Sequence, residues 1–67
     1  MTKNEMLHEL IEIGKKQTDL VREIESRYKE KMSSTELGAI MSGAQQGAKA
    51  ERVKIEVEQI INDWKGV

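Results

Sequence analysis

The chain has no cysteine, no proline and no phenylalanine, and its aromatic residues are one tryptophan and one tyrosine. Without cysteine there are no disulfides, no thiolate metal sites and no cysteine nucleophile. That fits a reducing compartment and sets the expectation of a cytoplasmic protein. Without proline, no residue forces a helix to stop by lacking an N–H. An excess of one charge is also missing: 11 Lys and Arg stand against 12 Asp and Glu, for a net charge of −1. The first 33 residues carry seven acids and seven bases, and the remainder five acids and four bases. Neither half has the basic surface that a nonspecific grip on nucleic acid requires. No apolar run approaches the ~20 residues needed to span a bilayer. The N-terminal segment lacks the continuous apolar stretch of a signal peptide.

What the chain does have is helix-forming pattern. Thr2 with Glu5, and Ser33 with Glu36, match the spacing of the capping box, a hydroxyl followed three residues later by a carboxylate. Gly66 follows Trp64 and Lys65 as a C-terminal cap. These signals predict helix 1 over about residues 3–32 and helix 2 over about 34–65, each ~45 Å long at ~1.5 Å per residue. Leu7, Gly14, Val21 and Tyr28 recur at heptad spacing, interleaved with Leu10, Gln17, Ile24 and Lys31, and widened by Met6, Ile13 and Leu20. Helix 2 carries Leu37, Ile40, Met41, Ala44, Ala48, Val53, Val57, Ile60, Ile61 and Trp64. Glu12 with Lys16, Glu23 with Arg27 and Glu25 with Lys29 are acid-before-base pairs one turn apart.

Two long helices with a short joint imply one all-α domain, an antiparallel two-helix hairpin. A lone hairpin leaves much of each apolar stripe wet, and a 67-residue chain has little core of its own. The expected assembly is therefore a homodimeric four-helix bundle or a higher homo-oligomer. In length and layout the chain resembles the ROP-type helical hairpin dimer. The competing layout is one continuous helix in a long coiled coil, since Ser33 and Ser34 break a helix only weakly.

Residues 38–50 read G-A-I-M-S-G-A-Q-Q-G-A-K-A, and eight of the thirteen are Gly, Ala or Ser. If Gly38, Gly43 and Gly47 lie inside a helix, they cost roughly 3 kcal/mol relative to alanine. In the hairpin, residues 14–18 face residues 47–51, so both stripes lose their large apolar side chains at one level. Tight packing of large residues into the vacated surface is one explanation, with a buried Gln17 setting register. A mid-bundle pocket is the other. Gln17, Thr18, Gln45, Gln46, Lys49 and Arg52 would rim it around Gly43 and Gly47, offering amides and cations to a small anionic, nucleotide-like ligand. The segment A-I-M-S-G-A-Q-Q-G, followed by an arginine, is similar with one gap to small phage proteins that sequester nucleotide immune signals. The similarity spans about a quarter of the chain. It implies a sponge or sensor rather than a catalyst.

Other chemistry has weaker footing. Glu5 and His8 match the Glu-x-x-His spacing of di-iron bundles, but the heptad frame places both on the outer face, where His8 meets Glu12. Serines 26, 33, 34 and 42 lie far along the rod from the single histidine, so no Ser-His-Asp arrangement is expected. Residues 35–44 have a loose helix-turn-helix flavour, which would make Lys49, Arg52 and Lys54 DNA-facing. Trp64 is expected to close one end of the core, near residues 1–6. The reading is a non-enzymatic binding or regulatory protein of phage or bacterial type, needing no cofactor or metal. It holds an anionic ligand or, alternatively, docks on a protein partner as inhibitor or adaptor.

Overall fold

In the computed structural model, which describes residues 1–66, the chain forms four helices: α1 (Lys3–Glu12), α2 (Gln17–Tyr28), α3 (Ser34–Ser42) and α4 (Ala48–Lys65). Every regular element among the described residues is helical, as expected. The two expected rods are not continuous. Each is cut once, at residues 13–16 and at residues 43–47.

Glycine makes both cuts. Gly14 stands at φ 71°, a left-handed conformation that side chains rarely adopt. The Lys15 N–H then donates back to the Leu10 carbonyl at 2.9 Å, the closing bond of a Schellman cap. The chain restarts when the Asp19 carboxylate accepts from the Lys16 N–H at 2.9 Å. Gly43 ends α3 at φ 88°, and Gly47 precedes α4 at φ 117°. A Cβ built on Gly14, Gly43 or Gly47 would meet nothing within 4 Å. These residues are glycine because of backbone conformation, and no close neighbour requires it.

The outer caps follow the sequence. Thr2 and Glu5 form the full capping box, with Glu5 N–H donating to Thr2 Oγ1 at 3.1 Å and Thr2 N–H to Glu5 Oε1 at 2.8 Å. Gly66 caps α4 at φ 80°. At α3 only half of the expected box forms. Glu36 N–H donates to Ser33 Oγ at 3.0 Å, but the Glu36 carboxylate turns elsewhere.

Breaking the rods lets the chain cover its own apolar stripes. Met6, Leu10, Leu20, Ile24, Leu37, Ile40, Met41, Ala50, Val53, Val57, Ile60 and Ile61 form one buried cluster. Leu7, Ile13, Val21, Tyr28, Met32 and Trp64 pack on its edge. The Cα extents are 29 × 24 × 19 Å, shorter than either expected rod. Ion pairs of the Met1 amino group with Glu58 at 3.9 Å and of Glu9 with Lys65 at 2.8 Å align α1 with the second half of α4, both running in the same direction. Arg27 pairs with Asp63, and the Tyr28 hydroxyl donates to Gln59 at 2.8 Å, pinning the end of α2 to the same stretch. Trp64 edges the core, but beside Lys15 beyond the end of α1 and not near residues 1–6, with Lys15 Nζ 5.1 Å from its ring centroid. Of the three expected pairs within helix 1, only Glu23 with Arg27 forms, at 2.6 Å. The helix ends before Lys16, and Lys29 is itself a left-handed cap at φ 58°.

Forcing alanine into the left-handed region costs about 1–2 kcal/mol, whereas in an unbroken helix the same replacement would gain about 1 kcal/mol. Urea denaturation of Gly14→Ala and Gly43→Ala is expected to show a lowered midpoint for both. A raised midpoint would restore the continuous rods.

Candidate functional site

The turn at residues 43–47 and the first turns of α4 gather several of the residues singled out from sequence, together with three carboxylates that were not. Gln45 Nε2 and Lys49 Nζ both donate to Glu36 Oε2, each at 3.0 Å. One oxygen thus receives two converging donors, and the amide and ammonium hold the Glu36 carboxyl below the usual carboxylate range. One turn further along α4, Arg52 forks onto Glu30, Nε to Oε1 at 2.7 Å and a terminal nitrogen to Oε2 at 3.1 Å. This pairing lowers the Glu30 carboxyl and raises the Arg52 guanidinium. Glu30 sits in the joint between α2 and α3, so the fork ties that joint to α4.

Glu56 completes the group. It lies one turn beyond Arg52 on α4 and is only 6% exposed. Its Oε1 has no hydrogen-bond partner among the described residues. Burial first, and the adjacent Glu30 carboxylate second, push the Glu56 carboxyl up to about 7. Arg52 opposes this weakly, because its fork is already occupied.

The other nominated residues lie elsewhere. Gln17 Nε2 donates to the Ser34 carbonyl at 2.7 Å and lies beside Gly38, on a groove of about 440 Å³ that Lys3 and Ser42 also border. Glu36 and Gly38 are two residues apart on α3, roughly 200° around the helix. The Gln17 groove and the Gln45 and Lys49 cluster therefore occupy opposite sides of α3. Thr18 is exposed, and Gln46 Nε2 only closes its own turn on the Gly43 carbonyl at 3.3 Å. Gly43 and Gly47 shape the turn, at φ 88° and φ 117°. Gln17 is thus set apart, across α3, from Gln45 and Lys49. Ala44 and Ala48, expected on the apolar stripe of helix 2, are exposed.

Among the described residues no group of three or more His, Cys, Asp or Glu is placed to hold a metal ion. His8 is exposed and lies 3.7 Å from Glu12, and Glu5 is engaged in its cap. The five-residue turn before α4 has the outline of a helix-turn-helix, yet the three candidate bases meet acids: Lys49 Glu36, Arg52 Glu30, and Lys54 Glu51 at 3.6 Å. No helix is long and apolar enough to cross a membrane among the described residues. Comparison with protein-family models, with curated proteins and with solved structures finds no match.

The carboxylates missed from sequence had one visible signal. Val53, Glu56, Val57 and Ile60 fall at i, i+3, i+4 and i+7, which places a glutamate inside an apolar stripe. Glu30 and Glu36 carried none, since their partners are 22 and 13 residues away.

Arg52→Gln should raise the titration midpoint of the Glu30 carboxyl toward the ordinary range and leave that of Glu36 in place. Lys49→Gln should raise that of Glu36 and move that of Glu30 in the same direction by less, since Lys49 acts on Glu30 only through space. Carboxyl carbon NMR titrations of the two variants check both, and movement of Glu36 in Arg52→Gln, or equal movement of both carboxyls in Lys49→Gln, would mean that the clusters are not separate.

Proposed function

We propose that this chain is a small non-enzymatic regulatory protein that acts by docking its helical exterior on a protein partner, as an inhibitor or adaptor. The observation that carries this reading is the internal neutralisation of the nominated cations. Lys49 and Arg52 are occupied by Glu36 and Glu30, so an anionic ligand must first displace carboxylates held by the same fold. Large apolar side chains do face outward. Ile11 on α1 is 77% exposed and Ile55 on α4 is 59% exposed. Burying such a side chain against a partner is worth about 1.5–3 kcal/mol. The non-enzymatic reading is supported by the engagement of the hydroxyls and the imidazole: Ser33 caps α3, Ser42 donates to the Ala39 carbonyl, and the exposed His8 lies beside Glu12.

One observation favours the second reading, capture of a small anion. Gln45 and Lys49 already converge on a single carboxylate oxygen, and an incoming phosphate or carboxylate could take the place of Glu36 there. In that reading a nucleotide-like ligand exchanges with Glu36, and a second copy of the chain or a large movement supplies the remaining contacts.

Thermal melts with a nucleotide panel separate the two. Docking predicts melts unmoved by any nucleotide. It also predicts a complex with a partner, detected by native mass spectrometry of the protein in cell extract, that Ile11→Glu or Ile55→Glu abolishes. Both changes are expected to leave the melt of the free chain within about 0.5 kcal/mol of wild type, as exposed substitutions do. Stabilisation by a nucleotide that Lys49→Ala removes would overturn docking in favour of capture.

A further inference from the structure

Two carboxyls and one guanidinium meet where the joint at residues 29–33 crosses α4, and the surroundings make that meeting sensitive to one proton. Glu56 is buried on α4 and leaves Oε1 without a partner among the described residues. The Glu30 carboxylate lies beside it, in the joint, and is engaged by the Arg52 fork. The backbone of the joint begins at Lys29 in the left-handed region, at φ 58°, where a non-glycine residue is held under strain. The remaining charged groups nearby are committed elsewhere. Lys49 on α4 bonds Glu36 of α3 and acts on Glu30 only through space. From α2, Arg27 holds Glu23 and Asp63, and the Tyr28 hydroxyl holds Gln59. On the far side of α4, Glu58 faces the Met1 amino group from the start of α1. Lys29 and Lys31 flank Glu30 in the joint, but Arg52 is the cation hydrogen-bonded to it.

We propose that Glu56, Glu30 and Arg52 form a proton-operated latch. With Glu56 protonated, the joint is fastened to α4; with Glu56 ionised, one buried and one half-buried negative charge compete for one guanidinium and the joint loosens. The latch goes beyond the docking reading and stands whether or not that reading holds. Its sign is fixed by linkage. A carboxyl whose midpoint lies higher in the folded chain than in the unfolded one binds an extra proton between those two values. The stability it contributes is complete below the unfolded value and is lost as pH rises to about 7. The Glu30 and Glu36 carboxyls, both lowered, act in the opposite direction and lose their contribution only as pH falls below the usual carboxylate range. Loosening frees Met32 and Tyr28, which pack on the core edge at either side of the joint.

The test monitors the whole chain by NMR from pH 5 to pH 8. The carboxyl carbon of Glu56 reports protonation. The amides of Lys29, bonded to the Glu25 carbonyl, and of Leu37, bonded to the Ser33 carbonyl, report opening on each side of the joint. The Ile13 amide at the end of α1 is the control. After correction for intrinsic exchange, the opening constants at Lys29 and Leu37 should rise by up to about tenfold per pH unit below the Glu56 midpoint of about 7 and level off above it. Glu56→Gln should abolish that slope and leave Ile13 unchanged. A Glu56 midpoint in the ordinary carboxylate range overturns the latch on the wild-type chain alone, whether or not the variant folds. Equal rises at Ile13 and at the joint, or a slope retained in Glu56→Gln, overturn it as well.

Discussion

A helix that stops at a left-handed glycine redirects the chain, and everything else in this structure depends on two such redirections. At Gly14 and at residues 43–47 the backbone leaves the helical region; the second break folds α4 back onto α3, and the first lets α1 pack on α3 while α2 packs on α3 and α4. Without these breaks the apolar positions would form two long stripes that only a second chain could cover. With them, twelve apolar side chains reach a common interior from four short helices. Short helices are marginal in isolation. Their stability here comes from that interior and from the caps at Thr2, Ser33 and Gly66.

The exterior is organised by pairing across elements. Glu9 with Lys65, Arg27 with Asp63 and Arg52 with Glu30 each join residues far apart in sequence, and α4 supplies a partner every time. Exposed pairs of this kind contribute little to stability singly, but together they tie α1, α2 and the α2 to α3 joint to α4. They also consume the cations. A chain with nearly balanced charge can spend its bases on its own acids, and this one does so around the first turns of α4. Glu56 is the exception, a carboxyl in an apolar stripe beside another carboxyl, and the electrostatics of the α2 to α3 joint turn on it.

Much of the architecture was readable from the residues, and the misreadings have one source. The termini followed the capping boxes and Gly66, the core residues Met6, Leu10, Leu20 and Ile24 lay on the predicted stripe, and His8 lay on the outer face beside Glu12. The heptad register, however, treated Gly14 as a vacant core position and Gly43 and Gly47 as packing or pocket surface. Period alone cannot tell a glycine that makes room from a glycine that turns the chain. The cue lay in the polar residues flanking each break: Lys15, Lys16, Gln17, Thr18 and Asp19 after Gly14, and Gln45 and Gln46 before Gly47. The site inherited the error, because placing residues 14–18 opposite 47–51 depended on continuous rods. Gln45, Lys49 and Arg52 still gathered, since local spacing on α4 suffices for that. Gln17 did not, because it belongs to the other side of α3.

Small-angle X-ray scattering of the dilute protein tests the central claim most directly. A chain folded back at both glycine breaks predicts a particle whose longest dimension matches the 29 Å Cα extent with side chains added, and a scattering mass of one chain at the lowest concentrations. A particle as long as the ~45 Å of two unbroken rods, with the mass of two or more chains at every dilution, would contradict it.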